Sequence, residues 1–104
     1  MYNSFLSVVT VINAPHEARF LSDFLTKIHP ILQEHFADYE IILVNNHTQV
    51  DFDSHIQPLP AELKHNIYLL NLSAITNRNH AFVAGLDRAN GDYNIIFDIA
   101  FYAQ

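Results

Sequence analysis

Polar residues stand directly behind the apolar segments of this chain. Asn13 follows the first apolar run, Asn45 and Asn46 follow the second, Asp98 follows the last, and Arg78 opens a helical pattern. A carboxylate can hold Mg²⁺ or Mn²⁺ weakly when substrate phosphates share the coordination, and an arginine at a helix start suits a phosphate. Asparagine amides both donate and accept hydrogen bonds. These residues are therefore the first to examine as possible ligand contacts.

Each of these residues also has a structural interpretation. Asparagine side chains commonly form turns and cap helices, so Asn45 and Asn46 fit that role as well as ligand contact. Asp98 is equally consistent with a solvated strand end, and a lone arginine such as Arg78 is often a surface residue. Glu17 and Arg19 are interpreted as the charged first turn of a helix.

Histidines are numerous, but their spacing matches no pair of metal ligands such as His-Glu-X-X-His. His47 is the one that the predicted topology puts firmly at the binding edge, where a solvated loop is the simpler interpretation. A metal cluster of His47 with His16 and His80 stays open as a weaker alternative. The seven histidines are His16, His29, His35, His47, His55, His65 and His80.

Strand and helix patterns alternate along the first half of the chain. The Val-rich run 5–12 predicts a strand buried on both faces, and 39–44 predicts a second one. Between them, apolar residues at spacings of three, four and seven predict a long helix from His16, ended by Ala37 and Asp38. Pro30 removes a backbone donor and predicts a kink or break in that helix.

The second half repeats the alternation after a less regular stretch. Residues 49–66 predict a loop with one short helical piece, 66–72 a strand, 76–89 a helix and 93–97 a final strand. Such alternation is typical of right-handed βαβ units, which give an α/β three-layer sandwich with a mainly parallel sheet. Ligands of these sheets bind beyond the carboxyl ends of the strands, where the polar residues above would lie.

Composition narrows the class of protein. A chain of 104 residues forms at most one small domain, and 50% apolar with only 15% charged residues indicates a globular chain. A net charge of −6 with five scattered basic residues argues against nucleic-acid binding. The absence of cysteine excludes disulfides and leaves a cytoplasmic location as the default expectation. No apolar run approaches the roughly 20 residues that span a bilayer.

Three ordered segments resemble family 2 glycosyltransferases, particularly the branch similar to dolichol-phosphate mannose synthase. They are Ser-Val-Val-Thr-Val-Ile-Asn at 7–13, Asp-Tyr-Glu-Ile-Ile-Leu-Val-Asn-Asn-His-Thr at 38–48, and 72–98 with its Ala-Gly-Leu-Asp-Arg-Ala-Asn-Gly-Asp-Tyr. The resemblance implies a nucleotide-diphospho-sugar transferase fold (GT-A, Rossmann-like). Residues 1–104 would supply a partial fold, the N-terminal half of a truncated domain that ends before the acceptor segment and catalytic base.

The resemblance also assigns roles and shows departures from the family. Asn13, Asn45, Asn46, Arg78 and Asp98 would contact the nucleotide-sugar, and Asp98 would hold the metal. Where the family has Glu, Asp-Asp and a second metal-binding Asp, this chain has Ala14, Asn45-Asn46 and Ala100. Asn77 and Arg78 stand where the family has Gly-Lys, and Asn77 would retain the backbone role of that glycine through a positive φ.

Two functions follow as expectations. In the first, the parent protein transfers a sugar from a nucleotide-sugar donor to an acceptor in glycan or polysaccharide synthesis, while this chain alone is inactive. In the second, the chain is a non-catalytic glycosyltransferase-like module for binding or interaction. A phospho-receiver of flavodoxin type is disfavoured because acidic residues are missing after the first strand. An exposed sheet edge and an uncovered apolar face predict a homo-oligomer.

Overall fold

A computed structural model describes residues 2–99 of the chain, which form a four-stranded, all-parallel sheet with helices on both faces. The sheet order is β3-β2-β1-β4. The prediction of a mixed α/β fold with a parallel sheet is confirmed, and the sheet is of Rossmann-like type. The elements in chain order are β1 (Tyr2–Ile12), a 3₁₀ helix (Pro15–Phe20), α1 (Leu21–His35), β2 (Phe36–Asn45), α2 (Phe52–Ile56), α3 (Ala61–His65), β3 (Ile67–Asn71), α4 (Arg78–Arg88) and β4 (Tyr93–Ile96).

The two central strands are buried on both faces, as their continuous apolar runs predict. β1 pairs with β2 in the register Val8↔Ile41 and Val9↔Ile42. Because successive side chains point to opposite faces, Val8 packs with α1 on one side of the sheet and Val9 packs with α4 on the other. Two apolar layers therefore fix β1 and β2 between the helices.

The first helical segment differs from its prediction at both ends. The chain forms a 3₁₀ helix from Pro15, in which the Glu17 N–H donates to the Ala14 carbonyl at 3.1 Å, before α1 begins at Leu21. At the other end, α1 stops at His35, and Phe36 begins β2 instead of continuing the apolar helix face. Phe36 pairs with the start of β1 and packs against the α1 side of the core, which helical periodicity could not show.

Of the kink or break predicted at Pro30, the break does not occur, because α1 continues through this residue from Leu21 to His35. Pro30 and Thr26, four residues earlier, are both exposed. The Thr26 carbonyl that loses an intrahelical donor can therefore bond to water, and this lowers the cost of a proline inside the helix.

The segment 49–66 contains two short helices, α2 and α3, where one helical piece was predicted. Asp51 begins α2 as its N-cap, accepting from the Ser54 N–H at 3.4 Å. Pro60 precedes α3, where its missing N–H costs nothing because the first turn of a helix has no partner for it. Phe52 and Leu63 anchor the two helices in the core.

A polar cluster around the buried carboxylate of Glu40, which is 3% exposed, joins the middle of β1 and β2 to the turn before β4. This carboxylate accepts from the Ser7 hydroxyl at 2.6 Å and from the Asn90 N–H at 2.7 Å. The Gly91 N–H donates to the Ser7 hydroxyl at 2.8 Å, and the Asp92 N–H donates to the Phe5 carbonyl, also at 2.8 Å. The Asn-Gly-Asp turn thus fixes the register of β4 beside β1.

The two edge strands are the exposed part of the sheet. All four residues of β4 are exposed, and within residues 2–99 its outer side has no neighbouring strand. Tyr93, Ile95 and Ile96 are each about half exposed or more, at 62%, 48% and 49%. The homo-oligomer stays a prediction, and the exposed edge at β4 is the surface through which two copies of the chain would pair. No helix between residues 2 and 99 combines the length and apolarity needed to cross a membrane.

Candidate functional site

The candidate site is the carboxyl edge of the sheet between β1 and β4. The chain builds the sheet outward from β1 through β2 to β3 and then returns to place β4 on the opposite side of β1. This reversal is the switch point at which parallel α/β sheets hold their ligands. All five predicted residues lie at this edge: Asn13 follows β1, Asn45 and Asn46 end and follow β2, Arg78 begins α4, and Asp98 follows β4.

Asn45 serves the turn after β2. Its Oδ1 accepts from the backbone N–H and the hydroxyl of Thr48, at 2.8 and 2.6 Å. Its Nδ2 donates to Asn71 Oδ1 at 2.9 Å, across to the end of β3. Because the amide is 7% exposed and bonded on both sides, the structural interpretation of Asn45 fits its geometry.

Asn46 joins three segments of the edge. Its Nδ2 donates to Asn13 Oδ1 at 2.8 Å and to the Thr76 carbonyl at 2.7 Å, while its Oδ1 accepts from the Thr76 N–H at 3.0 Å. With 2% of its surface exposed, this amide is a buried brace. It holds the segment before α4 against the ends of β1 and β2.

Asn13 retains one hydrogen-bonding group without a partner. Its Oδ1 accepts from Asn46, and its backbone N–H donates to Glu17 Oε1 at 2.8 Å. Its Nδ2 is buried and has no acceptor within the described range 2–99. A buried donor without an acceptor costs roughly 1–3 kcal/mol, so it favours a ligand or a water that supplies an oxygen.

Arg78 connects the two sides of the switch point. Its Nη1 lies 2.6 Å from Asp98 Oδ1, and its Nη2 lies 3.4 Å from Glu17 Oε2. The side chain of Glu17 is 5% exposed, that of Asp98 is 22% exposed and that of Arg78 is 37% exposed. Two carboxylates and one guanidinium give this group a net charge of −1.

Glu17, predicted to belong to the charged first turn of a long helix from His16, lies in the first turn of the separate 3₁₀ helix, and its side chain is buried. The 3₁₀ helix turns its carboxylate inward, because the Asn13 N–H and the Arg78 guanidinium both need an acceptor there. Its position four residues after Asn13, next to the predicted binding edge, was the available signal. Glu17 was instead interpreted as an acidic residue at a helix start, so it was not counted among the site residues.

The segment before α4 does not adopt a left-handed conformation at Asn77, where φ is −73° and ψ is 163°. The expected backbone equivalence with a glycine is therefore wrong. Asn77 caps α4 by accepting from the His80 N–H at 2.8 Å, and this places Arg78 at the first helical position.

A left-handed residue occurs instead at His47, with φ of 58°. Its ring is exposed, with Nδ1 3.2 Å from the Leu72 carbonyl. His80 lies near Thr76 and Asn77 in the same edge region. The described part of the chain has no group of three or more His, Asp or Glu residues suited to a metal ion.

A divalent cation at this edge would have Asp98 and Glu17 as its protein carboxylates. Both contact Arg78, so a cation would have to displace the guanidinium from them. Ala100, the departure from the second family aspartate, lies outside the described residues. The Mg²⁺ or Mn²⁺ site at Asp98 stays a prediction.

Comparison of the chain with protein-family models and with curated proteins gives no match.

Proposed function

We propose that this chain is a glycosyltransferase-like domain that binds the nucleoside diphosphate part of a sugar donor at the carboxyl edge of its sheet. The parent protein would transfer the sugar to an acceptor. The observation that supports this most is the meeting of four segments at the switch point, where Asn13 lies 2.8 Å from Asn46 and Arg78 lies 2.6 Å from Asp98. The first pair links the ends of β1 and β2, and the second links the end of β4 with the start of α4.

Each part of such a ligand has a suitable partner at this edge. The buried Asn13 Nδ2 can donate to an oxygen of the base or the ribose. The Arg78 guanidinium, at the start of α4, can bind a phosphate. Asp98 would hold Mg²⁺ or Mn²⁺ with the substrate phosphates, and the cation would neutralise the diphosphate leaving group.

A second candidate is a non-catalytic module of the same fold. It is favoured by the internal use of the polar side chains: Asn45 and Asn46 hold turns and segments in place, and Arg78 is paired with two carboxylates. In this alternative, the polar residues of the carboxyl edge only hold the surrounding segments together, and the partner binds elsewhere.

Calorimetry with UDP and with GDP in Mn²⁺ separates the two candidates. Asn13→Asp keeps an acceptor for Asn46 and removes the unpaired donor, so we expect about tenfold weaker binding, equal to about 1.4 kcal/mol. Asn94→Asp adds the same charge on exposed β4 and should bind like the wild type. Binding of neither nucleotide to the wild-type chain would reject the nucleotide site and favour the non-catalytic module.

The metal assignment has its own measurement. If Asp98 holds a cation shared with the diphosphate, affinity for the bound nucleotide should fall when EDTA replaces Mn²⁺. Equal affinity in the two buffers would remove the metal from the proposal while leaving the nucleotide site intact.

A further inference from the structure

The Glu17–Arg78–Asp98 group bridges the crevice in which a ligand of this sheet would lie. Glu17 belongs to the 3₁₀ helix after β1, Asp98 follows β4, and Arg78 begins α4. One guanidinium thus joins the two strands that flank the switch point, through contacts of 2.6 and 3.4 Å. We call this group the arginine bridge.

The protein holds the arginine bridge in place from several directions. The Glu17 carboxylate accepts from the Asn13 N–H at 2.8 Å, and Asn77 caps the helix that carries Arg78. The 2.6 Å contact with Asp98 is short, as expected for a hydrogen bond between charged groups. Arg78 nevertheless keeps 37% of its side chain exposed, so a ligand in solution can reach it.

The bridge competes with an anion for the same donors. A phosphate binds arginine best when two N–H groups donate in parallel, and one N–H of each terminal nitrogen is already directed to a carboxylate, from Nη1 to Asp98 and from Nη2 to Glu17. The two carboxylates also repel an approaching anion, since the group carries a net charge of −1. Asn13, whose backbone N–H donates to Glu17, also has the unpaired side-chain donor Nδ2. This donor suits an oxygen-rich ligand.

We propose that the arginine bridge is an autoinhibitory contact that opens when a diphosphate binds. Resting on the nucleotide site proposed above, this inference concerns how that site is regulated. In the closed state, Glu17 and Asp98 keep Arg78 away from phosphate. In the open state, Arg78 leaves at least one carboxylate and donates to the diphosphate. Removing the charge of Glu17 or of Asp98 should therefore strengthen anion binding, although both residues lie at the site.

Titration with inorganic pyrophosphate in EDTA tests the proposal without metal or nucleoside. Glu17→Gln keeps an oxygen for the Asn13 N–H and removes the charge, so we expect about three- to tenfold tighter binding than in the wild type. Arg78→Gln should abolish binding. Asp87→Asn makes the same change in net charge at the exposed far end of α4, and it should leave the affinity unchanged.

Asp98→Asn provides an independent arm should Glu17→Gln fold poorly, and it should also tighten pyrophosphate binding in EDTA. Equal affinity of the wild type and both variants, or no binding by any of them, overturns the arginine bridge as an inhibitory contact.

UDP and GDP in Mn²⁺ are titrated in parallel. If both charge-removal variants bind pyrophosphate more tightly than the wild type but UDP and GDP bind no more tightly than pyrophosphate, the nucleotide function fails and the arginine bridge stands. If the nucleotides bind and neither charge removal changes the affinity, the nucleotide function stands and the arginine bridge fails.

Discussion

The position of α4 depends on the absence of a side chain at Gly85, and Gly85→Ala tests this dependence. A Cβ at Gly85 would lie 2.5 Å from Val9 Cγ1 and 2.9 Å from Val44 Cγ2, both closer than side-chain carbons approach in folded proteins. Val9 and Val44 are completely buried on the two central strands. α4 can therefore rest on β1 and β2 only at a glycine.

Two opposing effects set the magnitude. Alanine is favoured over glycine inside a helix by about 1 kcal/mol, while overpacking of a dense core costs typically about 1–3 kcal/mol. The valines at Gly85 are held by strands paired on both sides, so they cannot move away and the upper part of that range applies. We expect Gly85→Ala to lower the free energy of unfolding by about 1–2 kcal/mol, or roughly 4–8 °C in melting temperature for each kcal/mol.

Urea unfolding followed by circular dichroism measures the effect. Ala84→Gly, at the neighbouring position, calibrates the helix-propensity term in the same helix. Val9→Ala combined with Gly85→Ala should be less destabilising than the sum of the two single changes, because the new methyl group occupies space that the valine leaves. A stabilised Gly85→Ala protein would show that propensity dominates and would refute the close contact between α4 and the sheet.

Two further predictions concern buried polar groups. Glu40→Ala should destabilise the chain by about 2–4 kcal/mol in urea unfolding, since the Ser7 hydroxyl and a backbone N–H lose their acceptor, whereas Glu34→Ala on the exposed face of α1 should change little; equal effects would contradict a buried carboxylate. Asn46→Asp, which introduces the acid of the glycosyltransferase pattern, should cost about 1–3 kcal/mol because its oxygen would face the Thr76 carbonyl, and a wild-type melting temperature would contradict that hydrogen bond.

The apolar runs and the alternation of strand and helix patterns in the sequence predicted most of the architecture. The apolar runs that became β1 and β2 are buried on both faces, and the alternation of strands and helices predicted a parallel sheet. That sheet then places Asn13, Asn46 and Asp98 at one edge, because the carboxyl ends of parallel strands coincide. These features depend on residues close in sequence and on one general rule of α/β topology.

Features that depend on distant partners could not be predicted in the same way. Glu17 points inward because Arg78, 61 positions later, lies opposite it. Phe36 leaves the helix pattern because the start of β1 offers a pairing partner. Asn77 could replace a glycine only if its backbone adopted a left-handed conformation with positive φ. Its φ is negative, and its side chain caps α4. In each case the tertiary contact decides between two locally acceptable conformations.

The segments that resemble glycosyltransferases divide into two physical groups. Gly85 and the Asn-Gly-Asp turn at 90–92 meet packing and register requirements of the sheet, and Glu40 anchors that turn. These residues account for the packing of α4 and the register of β4 and say nothing about chemistry, because any protein with this packing would need them. The proposed nucleotide site depends on the carboxyl edge, where Arg78 contacts two carboxylates. Binding of a nucleoside diphosphate at this edge therefore decides between a nucleotide site and a purely structural edge, and the Glu17 and Asp98 variants decide separately whether the two carboxylates oppose that binding.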